Sequence, residues 1–235
     1  MPLGDRSPRL TLLGAFDLSV GGESIPLPMN GQRVLVFLAL HGRSLLRPFV
    51  AGSLWLDSSE DRAAGSLRSA LWRLNRRHRF IETNGEQLQL SPDVAVDVDA
   101  AAAQARRLLD PAEPECPSPD GLLLSLDLLP DWYDDWVAVE RERFRQLRVH
   151  ALECLCDRLV EAERFGEAIE AGLAAMKSEP LRESAHRALV RAHLAEGNSS
   201  EALAQYRRFK LLLQDELRLS PSPKMEALIA PVLRA

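Results

Sequence analysis

The chain has 235 residues, 46% of them hydrophobic, and a formal net charge of −5. That is enough apolar material for a core in each of two ordinary domains. No stretch reaches the roughly 18 uncharged apolar residues of a membrane span, and no basic region followed by a long apolar run opens the chain, so a cytoplasmic protein without membrane partners is expected.

Short strands come first. Leu10-Thr-Leu-Leu13 and Phe16-Asp-Leu-Ser-Val20 are separated by Gly14, Gly21-Gly22 makes a turn, and Ser24-Ile-Pro-Leu27 follows, with Pro26 marking an edge strand. Val34, Leu35, Phe37, Leu38 and Leu40 then fit one helical stripe from Gln32 to Leu40, ended by Gly42. Pro48 suits the first turn of a second, short helix. A third helix is expected from about Glu60 to His78, with Ser59 or a neighbour as its cap and Glu60 and Asp61 at its positive end. Phe80-Ile-Glu-Thr83 and Gln87-Leu-Gln-Leu90 flank Asn84-Gly85, whose tolerance of positive φ favours a hairpin. Three helices followed by a hairpin is the order of a winged helix.

Beyond Asp99 the pattern is helical, interrupted by a loop around Pro111, Pro114, Pro117 and Pro119 that composition marks as mobile. A long amphipathic helix follows Trp132-Tyr-Asp-Asp-Trp136 and runs to about Val160. Glu163-Arg-Phe-Gly-Glu-Ala-Ile169 then aligns with Gly197-Asn-Ser-Ser-Glu-Ala-Leu203 at an offset of 34, the period of tetratricopeptide (TPR) repeats. The expected fold is mainly α with a small β component: a winged helix-turn-helix domain over residues 1–98, then an all-α TPR-like domain over 99–235.

Charge is distributed unevenly. Between residues 30 and 80 nine arginines face three carboxylates, a net of +6, whereas residues 100–235 carry 18 basic and 23 acidic side chains. One small region concentrates the positive field that a nucleic acid would need. At 100° per residue, Ala63, Leu67, Ala70, Leu71 and Leu74 share one arc of the third helix, and Arg62, Ser66, Ser69, Arg73, Arg76 and Arg77 lie in a band on the opposite side. Arginine pairs bidentately with guanine, and serine serves bases or phosphates. The candidate DNA-binding residues are therefore Arg62, Ser66, Ser69 and Arg73 in the major groove, with Arg76 and Arg77 nearer the backbone; the alternative is a solvated face of a structural helix. Gly65 interrupts this helix at a cost of about 1 kcal/mol relative to alanine. The hairpin tip at Asn84-Gly85 could touch the minor groove, but Glu82 and Glu86 beside it suit a simple turn as well.

Other chemistry is thinly represented. Cys116, Cys154 and Cys156 are too few and too odd in number for a disulfide framework. Cys154 and Cys156, two apart on a helix, point away from each other and cannot chelate one metal. His186 and His193 could share a face yet have no partner at ligand spacing, so packing is the expected role. Trp132, Tyr133 and Trp136 could line a ligand pocket, although such clusters more often close a core. Neither a cofactor, a metal nor an enzymatic nucleophile is expected.

Several fragments together resemble the Streptomyces antibiotic regulatory protein (SARP) family, which joins an OmpR-like winged helix to a bacterial transcriptional activator domain (BTAD). They are Leu10-Thr-Leu-Leu-Gly-Ala-Phe16, Gln32-Arg-Val-Leu-Val-Phe-Leu-Ala-Leu40, Leu67-Arg-Ser-Ala-Leu-Trp-Arg-Leu74, Leu129-Pro-Asp-Trp-Tyr-Asp-Asp-Trp136, Pro180-Leu-Arg-Glu-Ser-Ala-His186, Ala202-Leu-Ala-Gln-Tyr-Arg207 and Glu216-Leu-Arg-Leu-Ser-Pro221. The resemblance implies a transcriptional activator that binds direct repeats in double-stranded DNA near promoters and holds RNA polymerase there through its sigma subunit, with the helical domain serving either homodimerisation or the receipt of a signal. It also implies the family's short form, since the phosphate-binding loop of larger relatives, GxxxxGK[ST], does not occur. The competing expectation is a TPR-like interaction module whose winged helix no longer reads DNA.

Overall fold

A computed structural model describes residues 7–76, 78–112 and 123–234, which divide into two compact units. Arg77, Cys116 and the prolines at 114, 117 and 119 lie outside the described residues, so the mobile-loop expectation does as well.

The first unit comprises residues up to Asp99 together with Leu128–Glu140. Strands β1 (Pro8–Thr11), β2 (Asp17–Val20) and β3 (Glu23–Ser24) form an antiparallel meander. β3 stops short of Pro26, as a residue without an N–H requires, and lies at the sheet edge. The other edge is β7 (Ala95–Val96), which pairs with β1 in parallel. Helix α1 (Met29–His41) ends where Gly42, in the left-handed conformation at φ 60°, donates to the carbonyls of Leu38 and Ala39. A second sheet of order β4-β6-β5 joins β4 (Leu45–Leu46) to the hairpin of β5 (Ile81–Asn84) and β6 (Gln87–Leu90). In that hairpin Asn84 pairs with Gln87, so the loop residues are Gly85 and Glu86, and positive φ falls on Gly85 alone rather than on Asn84. In chain order between β4 and β5 come α2 (Arg47–Leu54), with Pro48 in its first turn, and α3 (Glu60–Leu74). The sequence order of three helices and a hairpin is thus a winged helix, with two further strands too short to show a period.

Leu128–Glu140 folds onto this unit. Leu129 N–H donates to the Leu12 carbonyl at 2.9 Å, and the Arg33 guanidinium meets the Asp134 carboxylate at 2.6 Å. Trp132 packs on Phe16 and Trp136 packs edge-on against Phe37, at centroid distances of 6.1 and 5.1 Å. These two indoles close a core, as expected, whereas Tyr133 is 93% exposed and belongs to no cluster.

The second unit comprises Ala100–Asp127 and Arg141–Ala235. Helices α4 (Asp97–Leu109) and α5 (Asp135–Glu161) lead into α6 (Phe165–Ser178), α7 (Glu183–Glu196), α8 (Ser199–Leu217) and α9 (Pro223–Arg234). The starts of α6 and α8 preserve the 34-residue offset, and Ala168 and Ala202 are fully buried at equivalent places. A Cβ on Gly172 would come within 3.2 Å of Leu189, so glycine there lets α6 and α7 approach closely. Val190, Ala202, Tyr206, Phe209, Leu213, Met225 and Ile229 form the core of the last helices. This is the expected TPR-like architecture.

Candidate nucleic-acid interface

Helix α3 is amphipathic in the sense the 100° wheel requires: Ala63, Leu67, Ala70, Leu71 and Leu74 are all buried. They hold it against α1 and α2, where Leu74 lies beside Gly31 of α1. Glu60 and Asp61 occupy the first turn, where the helix dipole favours them. Ser59 is the cap residue in extended conformation, but its side chain makes no capping bond, so only its carbonyl enters the helix, accepting from Ala63 N–H at 2.9 Å.

The helix ends at Leu74, not near His78. Asn75 stops it: its side-chain amide donates to the Ile81 carbonyl at 2.8 Å and accepts from the Ile81 N–H at 3.1 Å, tying the helix end to β5. The remaining backbone groups of a helical continuation would have to break those two bonds. Arg76 therefore lies in the turn after α3 and not on its surface, and Arg77 lies outside the described residues.

Of the predicted contact residues, Arg62, Ser69, Arg73 and Arg76 are exposed and Ser66 is half-buried. Arg62, Gly65, Ser66, Ser69 and Arg73 form one wall of a groove of about 580 Å³ whose other wall is Leu27, Pro28, Asn30 and Gly31 at the start of α1. The structure thus brings four of the six expected residues to one groove, while Arg76 joins Arg73 and His78 in a neighbouring one. Ser69 Oγ donates to the Gly65 carbonyl at 3.0 Å. With its proton so engaged, Ser69 faces outward as an acceptor, which suits a base amino group better than a phosphate.

Two exposed residues of α3 were not among those expected. Trp72 is 65% exposed, and the Arg76 guanidinium lies over its ring at 5.4 Å from the centroid. Arg68 is exposed on the other side of Trp72 and borders a second groove, of about 740 Å³, between α2, α3 and the hairpin tip at Gly85. The wheel carried the signal for both: Trp72 lies nearly opposite Leu74, and an apolar residue there is out of pattern. Among the described residues Arg62, Arg68, Arg73 and Arg76 form no ion pair. The hairpin tip, by contrast, exposes Glu82 and Glu86.

Residues 125–233 match the bacterial transcriptional activator domain family. The regulatory proteins AfsR of Streptomyces griseus and of Streptomyces coelicolor are each 26% identical over 97% of this chain. These matches make the chain similar to regulators of the Streptomyces antibiotic regulatory protein family. It spans 24% of the length of those AfsR proteins. A solved structure with the same fold is Mycobacterium tuberculosis EmbR, studied in complex with a low-affinity phosphopeptide; TM-score 0.74, 23% identity, 97% of this chain and 65% of that one. The match to the activator domain begins in the 3₁₀ turn Leu123–Ser125 and runs nearly to the end of α9.

Groups that the sequence left open are resolved as packing. Cys154 Sγ contacts the Leu108 carbonyl at 3.1 Å, and Cys156 is buried, with burial first and Asp157 second pushing its thiol up to about 12. His186 is buried, bonded through Nε2 to the Pro180 carbonyl at 2.7 Å and stacked on Phe209 at 4.0 Å. Among the described residues no group of three His, Cys, Asp or Glu side chains is placed to hold a metal ion, and no helix is long and apolar enough to cross a membrane.

Proposed function

We propose that this chain is a regulator of the SARP family, a non-enzymatic transcriptional activator that acts in the cytoplasm by binding double-stranded DNA through α3. The observation that carries this reading is the group of exposed arginines on and just after α3, none of them neutralised by a carboxylate among the described residues. Phosphates would meet these cations without displacing an internal partner, and counterion release would supply much of the affinity. Arg62, Ser66, Ser69 and Arg73 line one groove and face base edges; Arg76, with Arg77 beyond it in sequence, approaches the backbone.

The division of labour follows residues 1–98 for DNA and 99–235 for protein contacts. As in the family, the chain binds direct repeats beside promoters and recruits RNA polymerase through its sigma subunit, with a homodimer occupying the two repeats. The names of the AfsR relatives, and the activator-domain match over residues 125–233, support this assignment.

Selection of fragments from the source genome by the intact chain, at low and moderate salt, tests it. Enrichment of direct repeats upstream of genes, with an affinity falling steeply with ionic strength, is the expected result. Absence of enrichment at either salt refutes DNA reading and leaves the helical unit as a protein interaction module.

A further inference from the structure

The outward line of α3 has an uneven profile. Gly65 stands near its middle without a side chain, and a Cβ built there would meet only Arg68 Nη2, at 3.8 Å, among the atoms around it. Seven residues on, about 10 Å along the axis, Trp72 projects as the largest side chain of the exposed face. That separation is close to three base-pair steps at roughly 3.4 Å each. Nothing in the fold calls for an indole at this position: its neighbours Leu71 and Leu74 fill the core, and Trp72 itself is 65% exposed.

Its surroundings identify what would cover it. Arg76 lies over the ring, Arg68 and Arg73 flank it along the helix, and past the first turn α3 carries no carboxylate. An occupant must offer apolar surface closely bordered by negative charge. A protein groove rich in apolar side chains would leave these arginines desolvated and unpaired. The major groove of duplex DNA satisfies both demands, because the thymine C5-methyl is its apolar group and phosphates line its rims.

We propose that Trp72 is a specificity-determining residue whose indole packs on a thymine methyl in the major groove, with Arg76 holding the ring and meeting the adjacent backbone. This rests on the reading of α3 as a DNA-binding helix. Ser66 and Ser69, being short, and Gly65, being bare, keep the middle of the helix low enough for the groove floor to approach while the indole reaches one further step.

The test uses the intact chain and a duplex fragment that it selects from the genome. Each thymine is replaced in turn by deoxyuridine, which removes the methyl alone. The expected wild-type result is a loss of about fourfold at one or two positions, the worth of one buried methyl-sized group. Trp72→Ala should bind the parent fragment more weakly and lose that sensitivity, and Trp72→Phe, which keeps an aromatic ring, should retain part of it. Thermal melting of both variants at the wild-type temperature establishes that the fold is intact. Equal sensitivity of wild type and Trp72→Ala at every thymine overturns the proposal, as does a wild type indifferent to every replacement. A loss in Trp72→Ala that is uniform across unrelated sequences also overturns it, assigning the indole to the backbone. A wild type that selects no fragment refutes the DNA-binding reading itself, which is a different failure.

Discussion

Arginine is used in two ways in this molecule. Several arginines of the helical unit are paired: Arg145 with Glu142 and Glu179, Arg164 with Glu167, Arg182 with Glu153, Arg187 with Glu183 and Arg191 with Asp157. On α3 the arginines face solvent, and Arg76 just beyond it lies over Trp72. Surface ion pairs contribute only about 0 to 1 kcal/mol each, so the pairing in the second unit is not chiefly a source of stability. What it does is cancel charge within a few ångströms. Past the first turn of α3 that cancellation is missing, a local difference that is invisible in the overall charge of −5.

The sharpest way to break this contrast is at Arg148, the helical unit's most deeply placed arginine. Only 1% of it is exposed, and its guanidinium bonds to the Leu126 carbonyl and, at 2.6 Å, to Asp127. Arg148→Ala would leave a cavity and strand the Leu126 carbonyl. Part of the cost is relieved because Asp127 is largely exposed, so a destabilisation of about 3 kcal/mol is expected. Urea unfolding followed by circular dichroism measures it. A loss under 1 kcal/mol would place Arg148 with the dispensable surface pairs.

Arg73→Ala is the converse. Its side chain is exposed and unpaired among the described residues, so unfolding free energy should stay within about 0.5 kcal/mol of wild type. Binding to the preferred fragment should weaken by about 1 to 3 kcal/mol if the guanidinium meets a guanine. Titration on preferred and scrambled duplexes separates that case from an equal loss on both, which would mark a phosphate contact. A stability loss with unchanged binding would erase the distinction between the two kinds of arginine.

Much of the first half of this contrast was legible in the sequence. The 3.6-residue period located α1, α2 and α3, and the apolar arc from Ala63 to Leu74 correctly named every buried position of α3. The end of α3 was not legible, because Asn75 is bonded to Ile81, six residues away on another element, and local pattern carries no sign of such a bond. β4 and β7 escaped for a similar reason: two residues cannot display a period of two. Trp132 and Trp136 read as core residues, but periodicity does not say whose core, and they pack on Phe16 and Phe37 of the first unit. The basic groove was legible as a set of residues; its opposite wall at Pro28, Asn30 and Gly31, and the exposure of Trp72, needed the tertiary structure.

Gly65 gives a smaller effect of opposite sign on the two properties. Space around it admits a methyl group, so Gly65→Ala should stabilise the protein by about 1 kcal/mol through helix propensity. If DNA approaches the bare backbone at this point, the same methyl should push base edges away and weaken specific binding. Melting and duplex titration on one preparation check both signs. Stabilisation with unaltered affinity would mean that α3 touches DNA elsewhere along its length.

The least of these effects belongs to the helical unit and concerns a neutral group. His186 is buried between α7 and α8, with Gln205 donating from Nε2 to its Nδ1 at 2.8 Å and its own Nε2–H donating to Pro180. Both ring nitrogens are thereby committed to the uncharged imidazole. Burial is the leading cause that lowers its pKa; the bond to Pro180 and the charge of Glu183 oppose it, and Glu183 is itself engaged by Ser222 and Arg187. In the unfolded chain the imidazole takes up a proton near pH 6.5, while in the folded unit it does so only at lower pH. The protein should therefore hold its full stability above about pH 6.5, lose some as pH falls toward the lowered folded value, and change no further from this residue below it. Denaturant unfolding from pH 7.5 downward, compared with His186→Gln, isolates the contribution: the wild-type curve should fall more steeply through that window than the variant's. Parallel curves would mean that the cavity around His186 admits the charged ring by turning the Gln205 amide to accept from it, and that the packing of α7 on α8 is more yielding than its close contacts imply.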